Sequence, residues 1–230
     1  MRSLPPFPDL RAFLGWLEGQ GDLATIREPV SLRHEMTAVQ VAALRRGGPA
    51  LRFDSHDGPA MPVIANLFGT PARVAAGLGL LPDQVPEFGA FLAALRSPAP
   101  VGGMRDALSR WPMLRAALAA RPKVLRHGPG QEADLPGLDR LPVQTPWPGD
   151  GGPLITWPVV ITRPEGTAAG DTAQYNLGVY RAQVLSPDRL ILRWLAHRGG
   201  AAHHRTWARA AEPMPVAIAL GADPAPLLAA

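Results

Sequence analysis

The stretch NLGVYRAQVLSPDRLILRWLAHRGGAAHHRTW, residues 176–207, decides the fold. With Tyr175 before it, its first part (residues 175–184) reads as an apolar strand interrupted by Asn176 and Arg181. On a regular strand those two residues point to opposite faces, because side chains alternate. A glycine at 178 lets the backbone approach a ligand, or forms a bulge that re-aims its neighbours. Residues 190–195 read as a further strand, and residues 193–204 carry it straight into a basic, glycine-rich turn. Bare amides beside Gly199 and Gly200, flanked by Arg193 and Arg198, suit a phosphate. Asn176 and His197 offer an oxygen and a nitrogen to a divalent ion that bridges to that phosphate. Arg and His at a strand end are more often surface residues, and Gly-Gly is more often a plain turn. The residues alone leave both readings open. His203 and His204 are a weaker pair, since neighbours on a helix diverge. Trp147, Trp157 and Trp194 are most simply packing residues.

Further strand-like runs flank this stretch, at residues 157–162 and 216–220. Several short strands in succession point to an antiparallel sheet or barrel. Upstream, residues 126–152 are punctuated by Pro and Gly, which is turn chemistry and marks a domain boundary. The first third alternates helix and strand signals. Asp9 caps a helix bearing Leu10, Phe13, Leu14 and Leu17 on one face, stopped by Gly19 and Gly21. Residues 23–26 form a strand, and residues 34–46 a helix turning Met36, Val39, Ala43 and Leu44 inward. Residues 51–53 and 63–68 read as strands, and Thr70-Pro71 opens another helix as cap and first residue. Helical patterns cover residues 85–95 and 104–120. The fold class expected is α+β: an amino-terminal mixed α/β domain over residues 1–125, then a β-rich domain over residues 126–230.

Composition narrows the function by exclusion. The 230-residue chain has no cysteine, which removes disulfides, thiolate zinc sites, iron–sulfur clusters and cysteine nucleophiles. Its formal charge of +4 is scattered, without the like-charge runs of a nucleic-acid arm. No apolar run approaches the roughly 20 residues of a spanning helix. The start MRSLPPFPDLRAF lacks a signal-peptide core, so a cytoplasmic location is expected. Gly77 and Gly79 begin a dinucleotide fingerprint, but Pro82 stands where its third glycine belongs. There is no Walker A sequence and no Gly-x-Ser-x-Gly elbow. After His34-Glu35, Ala38 replaces the second histidine of a metalloprotease helix.

The two segments NLGVYRAQVL and LILRWLAHRGGAAHHRTW also resemble the cofactor-holding stretch of UbiD-type decarboxylases, and within them the branch acting on 4-hydroxy-3-polyprenylbenzoate in ubiquinone synthesis. Supporting blocks are GGPALRF (47–53), ANLFGTPARVAAGLG (65–79), WPGDGGPLITWPVVITR (147–163) and EPMPVAIALGADP (212–224). The resemblance implies that Asn176 ligates a divalent ion, manganese, joining the cofactor phosphate to the protein, with His197 as a second ligand and potassium as a further ion. It implies that Val179, Tyr180, Arg181, Arg193, Trp194, Leu195, Arg198 and Gly199 line a prenylated FMN. It gives Arg181 the catalytic place beside the flavin ring and the substrate carboxylate. The implied central fold is a split β-barrel. The implied partners are an aromatic, polyprenylated carboxylate, a flavin prenyltransferase supplying the cofactor, and further copies of the chain. A membrane-borne substrate implies surface association, and no nucleic acid is expected. The family's acidic metal ligand and proton-donating acid lie beyond the ALGADP block, so the 230-residue chain is expected to be a truncated form without turnover. Glu212 is expected to be a solvated loop charge. The alternatives are a decarboxylase of another aromatic or unsaturated acid, and a non-catalytic flavin-binding chain.

Overall fold

The structure is a computed structural model that describes residues 7–97 and 128–230, with a few isolated positions between them. The helix expected over residues 104–120 falls outside the described stretches. In the amino-terminal part, Asp9 caps helix α1 (Leu10–Gly19) by accepting from the Ala12 N–H at 2.8 Å. The apolar spacing of α1 then buries Phe13 and Leu17 completely. Strand β1 (Leu23–Ile26), helix α2 (Glu35–Arg45) and strand β2 (Ala50–Phe53) form a crossover unit with β1 and β2 parallel. Strand β3 (Val63–Ala65) adds to β2 in the antiparallel sense. Expected to run to residue 68, this strand stops at Ala65 because Asn66 takes a positive φ of 55°. Helix α2 buries Met36, but Leu44 is 46% exposed rather than turned inward. Helix α3 (Pro71–Gly77) opens as its sequence predicts, with Thr70 accepting from the Arg73 N–H and Pro71 at the first position. Helix α4 is Val85–Arg96.

Two three-stranded antiparallel sheets follow. One has the order β4–β7–β8 (Leu154–Ile155, Ala182–Ser186, Arg189–Leu192), and the other β6–β5–β9 (Asn176–Val179, Val159–Thr162, Val216–Ala219). Helix α5 (Gly199–Ala210) joins β8 to β9, and helix α6 is Pro224–Ala229. The segment 175–184, expected as one strand, is therefore two. The chain leaves the β6–β5–β9 sheet after Val179 and enters the β4–β7–β8 sheet at Ala182, so Tyr180 and Arg181 belong to neither. Side chains therefore do not alternate regularly from Asn176 to Arg181, because Asn176 lies in β6 and Arg181 in that crossover. Among the described residues the strands close no barrel; the fold is mixed α/β.

A single apolar cluster joins the early and late parts of the chain. Phe13, Leu17, Ala50, Leu67 and Ala76 are packed with Val159 and Leu227. Arg73 is 2% exposed and is held there by Asp22 at 2.7 Å and the Gly48 carbonyl at 3.0 Å. Burying that charge is tolerable only because it is paired. Among the described residues, no helix is long and apolar enough to cross a membrane.

Candidate functional site

The crossover between the two sheets places the chemistry. Tyr180 is buried there, and its hydroxyl accepts a hydrogen bond from the Gly200 N–H at 3.0 Å. That amide is one of the unpaired donors at the start of α5. The Trp194 ring meets Tyr180 edge to face, 5.0 Å between centroids. Three glycines make room for this knot. A Cβ on Gly178 would strike the Tyr180 ring, and one on Gly200 would overlap Trp194. One on Gly199 would overlap the Asn176 carboxamide oxygen. The space at Gly178 therefore serves the Tyr180 ring, and the bulge lies elsewhere, in β7 between Val184 and Ser186. Gly199 and Gly200 open a helix instead of a simple turn; Arg198 is its N-cap without a side-chain bond.

Packing fixes where α5 begins. Thr162 and Asn176 are partners across β5 and β6. Buried Thr162 hydrogen-bonds His203 Nδ1 at 2.9 Å, one turn into α5 beyond Gly199. Trp207 donates from Nε1 to the Arg163 carbonyl at 2.8 Å, and the Arg163 guanidinium lies over its ring. Burial lowers the His203 pKa below its ordinary range, with the Thr162 contact pulling weakly the other way. His203 thus holds the helix to the sheet as a neutral ring, while His204 is exposed.

The remaining candidates sit around this junction. Arg193, Leu195, His197 and Arg198 are exposed on the segment entering α5, and Val179 ends β6 half-buried. Arg181 is 51% exposed, and its Nη2 lies 3.7 Å from Oδ1 of Asp150, which is only 16% exposed. Glu212 is exposed, as a solvated loop charge should be.

Two observations test whether these residues fit a phosphate-bearing flavin. Asn176 Nδ2 is buried without a hydrogen-bond partner, a donor left over at the start of α5. Its carboxamide lies against Gly199, a cradle that any larger residue would fill. A donor, a helix start and two exposed arginines fit a phosphate. A metal centre is less complete: no group of three or more His, Cys, Asp or Glu able to hold an ion occurs among the described residues.

Comparison with known proteins adds the family. Residues 14–92 match the profile of the 3-octaprenyl-4-hydroxybenzoate carboxy-lyase N-terminal domain, and residues 121–230 that of the corresponding Rift-related domain. The chain belongs to the UbiD family. Among solved structures, the vanillic acid decarboxylase of Sedimentibacter hydroxybenzoicus in its closed form is 25% identical with a TM-score of 0.77, covering 97% of this chain and 44% of that one. An evolved dimeric form of HmfF from Pelotomaculum thermopropionicum, in complex with prenylated FMN, is 28% identical with a TM-score of 0.68, covering 94% and 44%. The 3,4-dihydroxybenzoic acid decarboxylase of Enterobacter cloacae, 24% identical with a TM-score of 0.67 over 96% of this chain and 44% of its own, shares the fold. The chain spans less than half the length of these relatives.

Sequence reasoning missed Asp150, Thr162 and the Tyr180–Gly200 bond. Asp150 stands in the quoted WPGDGG block, but nothing in the sequence pairs it with Arg181. The partner of Thr162 is likewise visible only once β5 and α5 meet.

Proposed function

We propose that this chain supplies the cofactor-holding part of a non-oxidative decarboxylase that uses prenylated FMN on an aromatic carboxylate. The observation that carries the reading is the junction of β6 with α5, where the unpartnered Asn176 amide lies against the Gly199 cradle, one residue past the N-cap Arg198. Asn176, Arg193, Arg198 and Gly199 bind the phosphate in this reading, and Val179, Tyr180, Trp194 and Leu195 shape the wall around the flavin. When bound, the prenylated flavin supplies the electron sink for loss of CO2. Arg181 orients the carboxylate through its guanidinium, which offers paired donors in a plane. Asn176 and His197 are the ligands we assign to a divalent ion such as manganese. In this reading the sheets are the first part of a split β-barrel over residues 126–230, after an α/β domain over residues 1–125. The family profiles name an octaprenyl-bearing hydroxybenzoate, which favours a polyprenylated substrate and a place in ubiquinone synthesis.

The reading is tested by incubating the purified chain with prenylated FMN, removing free flavin by gel filtration, and recording retained flavin and released CO2 separately. Retained flavin with CO2 release from a 4-hydroxybenzoate supports the decarboxylase. Retained flavin without release favours the second reading, a flavin-binding chain. Loss of all flavin contradicts both.

A further inference from the structure

Arg181 has a partner that no role has been given. The loop bearing Asp150 is a tight turn: the Asp150 N–H donates to the Trp147 carbonyl, and Asp150 Oδ2 accepts from the Trp147 N–H, both at 3.0 Å. This loop is also fastened to the strand that begins just after Arg181. Leu154 and Ile155 pair with Gln183 and Ala182, the Val184 N–H donates to the Pro153 carbonyl at 2.9 Å, and the Gln183 amide lies against Gly151 and Gly152. One oxygen of Asp150 is therefore committed to the turn. The other, Oδ1, is aimed at Arg181 Nη2.

We propose that Asp150 is the positioning residue for Arg181: its fixed charge draws one end of the guanidinium to its side by ion pairing, so that the group's donors are presented to the carboxylate of the substrate. This rests on the reading of Arg181 as the carboxylate-binding group. The asymmetry of the pair argues for it. Asp150 is anchored and mostly buried, whereas Arg181 is half-exposed and long, with several rotatable bonds to restrain. At 3.7 Å the contact is an ion pair rather than a hydrogen bond, so all five guanidinium donors stay available to an anion. Among the described residues, no other acidic side chain pairs with Arg181. The pair contributes little stability, as half-exposed pairs do; its effect is to restrict the directions from which Arg181 receives an anion.

The test is a calorimetric titration of the chain with 4-hydroxybenzoate, using wild type, Asp150→Ala, Arg181→Ala and the double variant. Asp150→Ala is expected to weaken binding about fivefold, the upper range for such a pair. Arg181→Ala is expected to weaken it more, and the double variant no further than Arg181→Ala alone. That non-additivity is what a merely structural role would not give, because a damaged loop would weaken binding in both backgrounds. Wild-type affinity in Asp150→Ala, or an equal loss with and without Arg181, overturns the proposal while leaving the carboxylate site intact. Wild-type affinity in Arg181→Ala, or no binding by any form, overturns the carboxylate site itself and this proposal with it. Should Asp150→Ala fail to fold, Asp150→Asn serves. With its oxygen kept on the Trp147 N–H, the amide nitrogen replaces the oxygen facing Arg181 and carries no charge to pair with it. An intermediate loss is therefore expected, and an unchanged affinity again overturns the proposal.

Discussion

Gly199 is the residue at which sequence and site meet most tightly. Its missing side chain leaves room for the Asn176 carboxamide, and a Cβ there would overlap that oxygen. Gly199→Ala is expected to push Asn176 out of place and weaken FMN binding at least tenfold, checked by quenching of flavin fluorescence. Tyr180 is a second such residue. Tyr180→Phe keeps the ring against Trp194 but orphans the buried Gly200 N–H, a loss of about 1–3 kcal/mol measurable by chemical denaturation. Undiminished stability in that variant would mean the hydroxyl is not what holds the start of α5.

At the scale of elements, α5 is held to β5 by His203 and Thr162. Burial lowers the His203 pKa in the folded chain below its ordinary 6.5, so the unfolded chain takes up the proton more readily. Stability from the neutral ring is complete above the unfolded pKa, declines as pH falls through about 6.5, and levels off below the folded pKa. Denaturation midpoints measured from about pH 8 to pH 5 should fall more steeply for wild type than for His203→Gln, with retained flavin falling alongside; parallel curves would exclude His203 as the source. These elements also show what is legible in sequence. Asp9 and Thr70-Pro71 mark their helices correctly because a cap is a local hydrogen bond, settled within four residues. The split of residues 175–184 between two sheets is not local. It depends on Tyr180 finding Gly200 across the fold. Gly199 and Gly200 read as a turn because Gly-Gly has poor helix propensity. They form a helix because Trp207 and His203 tie them to β5. Asn176, Gly199 and the basic residues were visible as a phosphate pattern, whereas Asp150 and Thr162 were silent until the strands brought them to their partners.

For the whole molecule, the shared cluster of Phe13, Leu17 and Ala76 with Val159 and Leu227 couples the early and late parts of the chain. Phe13→Ala is expected to cost about 3–5 kcal/mol and to lower the stability of both parts together, seen as one transition by tryptophan fluorescence and far-ultraviolet circular dichroism. Two separate transitions would show that the parts fold independently. Where the chain holds its cofactor is shown most directly by a crystal structure of the chain soaked with FMN. The account predicts the phosphate within hydrogen-bonding distance of Asn176 and the start of α5, with Arg193 or Arg198 turned toward it. A phosphate bound elsewhere, with Asn176 Nδ2 still unpartnered, would contradict it.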